Sequence, residues 1–286
     1  MSDDVARVRL AKLLADRGLA SRREAEGIIA EGRVTVNGEV AGVVTLVTDA
    51  DVVRLDGRPL PSPPKSVYFL LFKPRGYITG RDDPHGRKSV LDLVDHLGTR
   101  VEPVGRLDYE TEGALLLTND GELAHKLTHP STRVPKRYHV KVYRTPSEAK
   151  LQLIRDGKVY LEDGVVQPAL VRVIDATDTE NAWVEITVTE GRNRMIRRLF
   201  QQLRHPVSKL RRESFATLSI RGLERGQVRA LTPDELRRIK DLAEGVNPKR
   251  AGKVKYKTGY ARPKPKGRVQ ARRKQAKRKF GAPKKR

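Results

Sequence analysis

Asp108 lies in a dense polar stretch, Val104-Gly105-Arg106-Leu107-Asp108-Tyr109-Glu110-Thr111-Glu112-Gly113, that runs directly into the apolar segment Ala114-Leu115-Leu116-Leu117. A polar loop leading into a buried strand has to be ordered, because its far end is fixed by the core. A carboxylate held in such a loop can attack an electrophilic carbon or remove a proton. Taken alone, an aspartate close to Arg106 is more commonly a turn residue closed by an ion pair, so the loop by itself leaves both readings open.

Other constellations carry less. Glu122, His125 and His129 fall on successive helical turns and could suggest a metal. A zinc-protease helix places Glu directly after the first His, where this chain has Lys126, and Pro130 ends the helix. Asp82-Asp83-Pro84-His85 lies between Gly80 and Gly86 and reads as a loop. No metal is therefore expected. Neither a Gly-x-Ser-x-Gly nucleophile turn nor a Walker A loop occurs. Lys12, Arg22 and Arg23 form a basic face near the N-terminus, open to two readings: a solvated helix surface or a phosphate-binding one.

The elements that must position these residues follow from periodicity. Leu10, Leu13 and Leu14 repeat at helical spacing until Gly18. Ser21-Arg22-Arg23-Glu24 is a capping box opening a second helix that buries Ala25, Ile28 and Ile29 and stops at Gly32. Val34-Thr35-Val36 alternates like a strand, and Asn37-Gly38 signals a tight hairpin. Val52 to Leu55, followed by Asp56-Gly57, predicts another strand and turn, and Pro61-Ser62-Pro63-Pro64 a linker. Beyond it, strands are predicted at Val67–Phe72, Ala114–Thr118, Tyr138–Tyr143 and Trp183–Thr189. Helices are predicted after Asn119-Asp120-Gly121, over Ile196–Leu203, and after Thr232-Pro233-Asp234-Glu235. Strands and helices mix without regular βαβ alternation, which predicts an α+β fold. The expected division is residues 1–60, a linker at 61–65, a larger unit at 66–244 and a basic tail at 245–286.

Composition narrows the classes. The 286-residue chain has no cysteine, so it has no disulfide scaffold, thiol nucleophile or thiolate-bound metal. No apolar run is long enough to span a bilayer, and the acidic start Met1-Ser2-Asp3-Asp4 is followed by no secretory apolar region, so a cytoplasmic protein without a membrane partner is expected. The formal charge of +24 is unevenly placed: residues 249–286 hold 18 Lys and Arg and no acid. Self-repulsion and scarce apolar material predict disorder for this tail, and a polycation predicts phosphate binding that weakens with salt.

Two resemblances join these observations. Val8 to about Val40 resembles the S4 RNA-binding domain, in which a helix–loop–helix and a hairpin present basic residues to structured RNA. Gly105-Arg106-Leu107-Asp108-x-x-Thr111-x-Gly113 with Leu115-Leu116-Leu117-Thr118-Asn119-Asp120-Gly121 resembles the signature of the RsuA/RluB branch of pseudouridine synthases. Lys73-Pro74-x-Gly76, Pro135-Lys136-x-Tyr138, Glu190 through Arg198, and Val207-x-Lys209-Leu210-x-Arg212 match further family motifs in order. Met195, Leu199 and Ala114 stand where the family usually has Gln, Met and Leu, and read as packing changes.

The resemblance implies a small S4-like helical and hairpin domain and a two-lobed catalytic domain with a mixed, largely antiparallel sheet. It implies that uridine is isomerised by breaking the N1–C1′ bond, rotating the uracil and rejoining it through C5. That reaction has no net redox change and requires no cofactor. Asp108 would attack C1′ or remove the C2′ proton, beside Arg197 as its cationic partner. Tyr138 would stack on the everted uracil, offsetting ~1–3 kcal/mol of the extrusion cost, and Leu210 would pack near the base. Arg106, Lys136, Arg192 and Arg194, with Lys12, Arg22 and Arg23, would hold RNA. Lys73 matches a motif regarded as structural. The implied partner is ribosomal RNA, with the long basic tail pointing to the 23S large-subunit RNA or its precursor ahead of 16S RNA; a monomer is the default. A non-catalytic RNA-binding assembly factor with the same fold would be expected to lack Asp108, Tyr138 or Arg197, and all three are present.

Overall fold

Two short helices and a set of two- and three-residue strands begin the computed structural model, which describes residues 7–81, 83–176 and 180–246. Asp82 and the tail from residue 247 onward lie outside the described residues. Helix α1 (Leu10–Asp16) buries Leu10, Ala11 and Leu14. Helix α2 (Arg22–Ala30) carries the complete capping box: the Ser21 hydroxyl accepts from the Glu24 amide, and the Glu24 carboxylate accepts from the Ser21 amide. Gly18 and Gly32 end the two helices with φ of 76° and 74°, the left-handed backbone that glycine adopts at no side-chain cost.

Strands β1 (Val8–Arg9) and β4 (Leu46–Val47) pair with each other. Strands β2 (Val34–Val36), β3 (Glu39–Val40), β5 (Val53–Leu55) and β6 (Arg58–Pro59) form a four-stranded sheet. Both predicted tight turns occur, with Asn37-Gly38 and Asp56-Gly57 at positive φ and the registers Val36↔Glu39 and Leu55↔Arg58 closing them. Leu10, Leu14, Ile29, Val34 and Val47 make a separate small core. Each such side chain contributes about 1.5–3 kcal/mol on burial.

The larger part is built on a nine-stranded sheet. Its strands are β7 (Tyr68–Lys73), β8 (Glu102–Pro103), β9 (Glu112–Thr118), β10 (Lys136–Tyr143), β13 (Leu170–Asp175), β14 (Asn181–Val188), β15 (Val207–Phe215), β16 (Leu218–Ser219) and β17 (Val228–Ala230). A small hairpin, β11 (Tyr160–Leu161) with β12 (Gly164–Val165), stands apart. The main order is β13-β14-β10-β15-β9-β7-β17. Every pairing is antiparallel except β15 with β9, where Arg211 faces Glu112 and Arg212 faces Gly113. This single parallel contact joins the two lobes.

Each lobe has its own core. On one side of the seam, β9 is covered on both faces. Leu116 packs with Leu70, Leu123 and Ile239 on one face, whereas Leu115 and Leu117 pack with Val90 and Val94 on the other. Two-sided burial explains the uninterrupted apolar run. On the other side, Tyr138, Val140, Val184 and Ile186 point from β10 and β14 into a core closed by helices α4 (Glu148–Arg155) and α5 (Met195–Gln202). Helix α3 (Gly121–Thr128) is capped by the Asp120 carboxylate, and helix α6 (Pro233–Ala243) by the Thr232–Glu235 capping box. Ala114, Met195 and Leu199 are buried, consistent with roles in packing. No described helix is long and apolar enough to cross a membrane.

Candidate active site

The Asp108 loop is fastened on several sides. Gly105 turns it with φ 73°. The Thr79 hydroxyl donates to the Leu107 carbonyl at 2.8 Å and accepts from its amide at 3.2 Å. The Gly76 amide donates to the Tyr109 carbonyl at 3.0 Å, and the Thr111 amide to the Asp108 carbonyl at 2.9 Å. Arg75 pairs with Glu110 and holds its carboxyl below the usual carboxylate range. Beneath the loop, fully buried Lys73 donates Nζ to the Thr111 carbonyl at 2.9 Å and to the Pro74 carbonyl at 3.0 Å. Burial pulls its ammonium down to about 8, against the pull of the Asp108 and Glu110 charges.

Gly113 ends the loop at a position where no other residue fits. Its φ is 127°, and a Cβ there would fall 2.2 Å from the Arg212 carbonyl oxygen. That close approach lets β9 and β15 pair and brings the Asp108 loop beside β10 and β15.

The loop forms one wall of a cavity of about 480 Å³ at the seam. Asp108, Arg106, Lys136, Tyr138, Arg192, Arg194 and Leu210 all line it. Tyr138 is 8% exposed and faces both the core and the cavity, with Leu210 beside it on the neighbouring strand. Lys136 donates to the Val134 carbonyl, and burial next to Arg212 lowers its ammonium to about 8. Arg106 is exposed at the cavity and makes no ion pair among the described residues.

Two guanidiniums lie near the Asp108 carboxylate at different range. Asp108 Oδ2 lies 3.9 Å from Arg194 Nη1, whereas Arg197 Nη1 reaches the Val207 carbonyl at 3.5 Å. Arg194 sits at the N-terminal end of α5 in left-handed backbone, φ 46°, with its side chain half exposed. Arg197, one turn further in, is half-buried with its Nε unpartnered. Burial first and Arg194 second pull the Arg197 guanidinium below its ordinary value, while Asp108 and Glu110 oppose this. Arg197 therefore feels the carboxylate through space without contacting it.

Arg192, which lines the cavity, is also held within the protein. It donates to Asp163, Gly164 and Val165 in the β11–β12 turn and pairs with Glu190 at 3.1 Å. Arg198 reaches the same Asp163 at 2.6 Å. These contacts pin the arginine-rich loop to the hairpin. Lys12, Arg22 and Arg23 lie outside this cavity on the N-terminal helices. Lys12 is held by Asp16 at 2.5 Å. Arg22 and Arg23 are exposed in the first turn of α2, where the helix dipole disfavours cations by roughly 0.3–1 kcal/mol. Glu122 pairs with Lys126 at 2.9 Å, and His129 Nδ1 meets the Ser131 hydroxyl at 2.7 Å.

Arg212 and Phe215, which the sequence did not single out as site residues, line the cavity too. Arg212 is 2% exposed, donates Nε to the Ala114 carbonyl at 2.7 Å, and lies over the Phe215 ring at 5.1 Å. The signal was faint: a charged residue at an inward position of a strand whose residues are mostly polar.

Residues 67–202 match the model of the RNA pseudouridylate synthase family, and residues 8–53 match the S4 domain. A Bacillus subtilis (strain 168) protein named ribosomal large subunit pseudouridine synthase B is 43% identical over 82% of this chain and 97% of its own length. The chain belongs to the pseudouridine synthase family. A Yersinia pestis protein of the same name is 40% identical over 82% of this chain and 76% of its own. A solved pseudouridylate synthase, 28% identical, superposes with a TM-score of 0.58 over 81% of this chain and 99% of the other. As a pseudouridine synthase the chain is an isomerase acting on uridine in RNA. Its cavity joins a loop carboxylate, a guanidinium at ion-pair range, a tyrosine and a leucine in one space.

Proposed function

We propose that this enzyme converts a specific uridine of ribosomal RNA to pseudouridine, and that the target lies in 23S RNA or its large-subunit precursor. The convergence of Asp108, Tyr138 and Arg194 on one 480 Å³ cavity carries the catalytic part of this reading. The names of the Bacillus and Yersinia relatives support the large-subunit part. In this reading residues 1–60 dock on folded RNA through Arg22, Arg23 and Lys12. Residues 66–244 receive the everted nucleotide, and the tail adds sequence-independent affinity for phosphate.

Asp108 acts at the ribose, as a nucleophile on C1′ or as a base on the C2′ proton. Arg194, at ion-pair range of that carboxylate, and Arg197 meet the backbone phosphates. Tyr138 stacks on the freed uracil and Leu210 borders it. The enzyme works in the cytoplasm as a monomer.

Pseudouridine mapping of ribosomal RNA from a deletion strain tests this. The expected result is one 23S uridine left unmodified, restored by the wild-type chain and not by Asp108→Asn. Loss confined to 16S RNA would move the target to the small subunit. An unchanged map would leave only an RNA-binding assembly factor.

A further inference from the structure

The part of the sheet formed by β13, β14, β10 and β15, with Tyr138 on β10, has a second face. Along β10, Tyr138, Val140 and Val142 enter the core, so Arg137, His139, Lys141 and Tyr143 face the other way. The same alternation turns Trp183, Glu185 and Thr187 outward on β14, Leu170 and Arg172 outward on β13, and Lys209 and Arg211 outward on β15. The helices of this lobe, α4 and α5, contribute their buried residues to the core on the Tyr138 side. The opposite face is therefore an open antiparallel sheet surface with no described helix across it.

Its charges are unequally matched. His139 bridges two carboxylates, with Nε2 3.2 Å from Glu185 and Nδ1 3.1 Å from Glu213. Glu185 also binds Arg172 at 2.9 Å, and Glu213 also binds Arg211. Both acids are thus satisfied within the sheet. Lys141 and Lys209 face each other in register and make no ion pair among the described residues. Directly across from Lys141, on the other neighbouring strand, stands half-buried Trp183, the sole tryptophan in the chain. On β13, Asp175 stands opposite Trp183 with exposed Ile174 beside it, whereas exposed Leu170 lies at the strand's other end, opposite Thr187.

Two unmatched lysines whose Cβ atoms stand about 5 Å apart across a strand pair repel each other. An anion bound between them would relieve that repulsion. An aromatic ring beside them gives a base a surface to stack on, and an open four-stranded face is a suitable platform for single-stranded RNA. A second copy of this chain would bring the same positive charge to the contact and be repelled.

We propose that this sheet face, centred on Trp183, Lys141 and Lys209, is a second RNA-binding surface that takes a single-stranded segment of the substrate flanking the modified site. It rests on the reading of RNA as substrate and adds a contact outside the catalytic cavity.

Trp183 provides its own reporter. The full-length Asp108→Asn chain is titrated with a large-subunit ribosomal RNA fragment containing single-stranded flanks, and tryptophan fluorescence is followed across a salt series. The expected result is saturable quenching. Lys141→Ala/Lys209→Ala should keep the thermal melt, bind about ten-fold more weakly, and lower the log–log salt slope by about 1.4, at ~0.7 per lost phosphate contact on a single strand. Trp183→Leu, read by filter binding, should lose affinity about ten-fold with the salt slope retained. RNA binding with unchanged fluorescence and an unchanged slope in the double variant would overturn the proposal. Quenching only by protein-bearing precursor subunits, and not by naked RNA, would overturn it in favour of a protein partner. Wild-type turnover of the same fragment is scored separately, so an inactive enzyme and a silent sheet face are distinguishable results.

Discussion

Replacing Gly113 by alanine should uncouple the two lobes. The added Cβ would lie 2.2 Å from the Arg212 carbonyl oxygen, 2.5 Å from its nitrogen and 2.8 Å from its carbonyl carbon. All three are backbone atoms of β15 and cannot rotate away. Relief requires β9 and β15 to separate by roughly 1 Å at their one parallel contact, since ordinary carbon contacts need about 3.5 Å. Overpacking of this kind costs about 1–3 kcal/mol, and holding alanine at φ 127° adds about 1–3 kcal/mol. The sum, about 2–6 kcal/mol, is a large share of a typical domain stability of ~5–15 kcal/mol. Urea denaturation should show the midpoint falling accordingly. Activity should fall further than stability, because Gly113 closes the Asp108 loop and Arg212 is its neighbour across the seam. Pseudouridine formation, measured well below the melting temperature where the variant is still folded, should drop at least ten-fold. A Gly113→Ala chain with wild-type midpoint and wild-type turnover would refute the argument that this close approach positions the carboxylate.

Further predictions follow from the same geometry. Lys73 and Lys136 are both lowered to about 8 from an ordinary 10.5. Between those values the folded chain holds fewer protons than the unfolded one, so these groups make stability rise with pH across that window. Over the same rise the cavity loses positive charge. KM for RNA should therefore increase as pH passes about 8, and Lys136→Arg, which stays charged, should flatten that rise. Asp163→Ala removes the carboxylate that holds Arg192 and Arg198. Loosening the arginine loop should lower kcat by up to about 100-fold, with partial rescue by Asp163→Glu; unchanged kcat in the alanine variant would remove Asp163 from this role. Ser21→Ala breaks the capping box of α2 and should cost about 1 kcal/mol in denaturant titrations.

The sequence made local structure legible where one principle dominated. Ser21 and Glu24 announced a helix start, Asn37-Gly38 a two-residue turn, and the leucines of β9 a strand buried on both faces. It was less legible where tertiary contacts overrule the pattern. Strand β15 lacks a clear apolar alternation because most of its residues, inward Arg212 included, are polar or charged, and the buried Arg212 side chain is held by the Ala114 carbonyl and the Phe215 ring. Helix α4 is short, with Leu151 and Ile154 its buried residues, and its periodicity did not stand out. At the site, motif order placed Asp108, Tyr138 and Leu210 in one cavity. It did not separate the arginines, since spacing along a loop does not show which guanidinium turns inward. Arg194 approaches Asp108 from left-handed backbone at the start of α5, and Arg192 is taken up by a hairpin 29 residues earlier.

Single-turnover conversion of a 23S RNA fragment by the wild-type chain and by Asp108→Asn tests the central claim most directly. Both proteins are used at saturating concentration, and RNA affinity is measured in parallel. Asp108→Asn is predicted to bind the fragment within a few-fold of wild type and to form no pseudouridine. Pseudouridine appearing at the wild-type rate with asparagine at position 108 would contradict it.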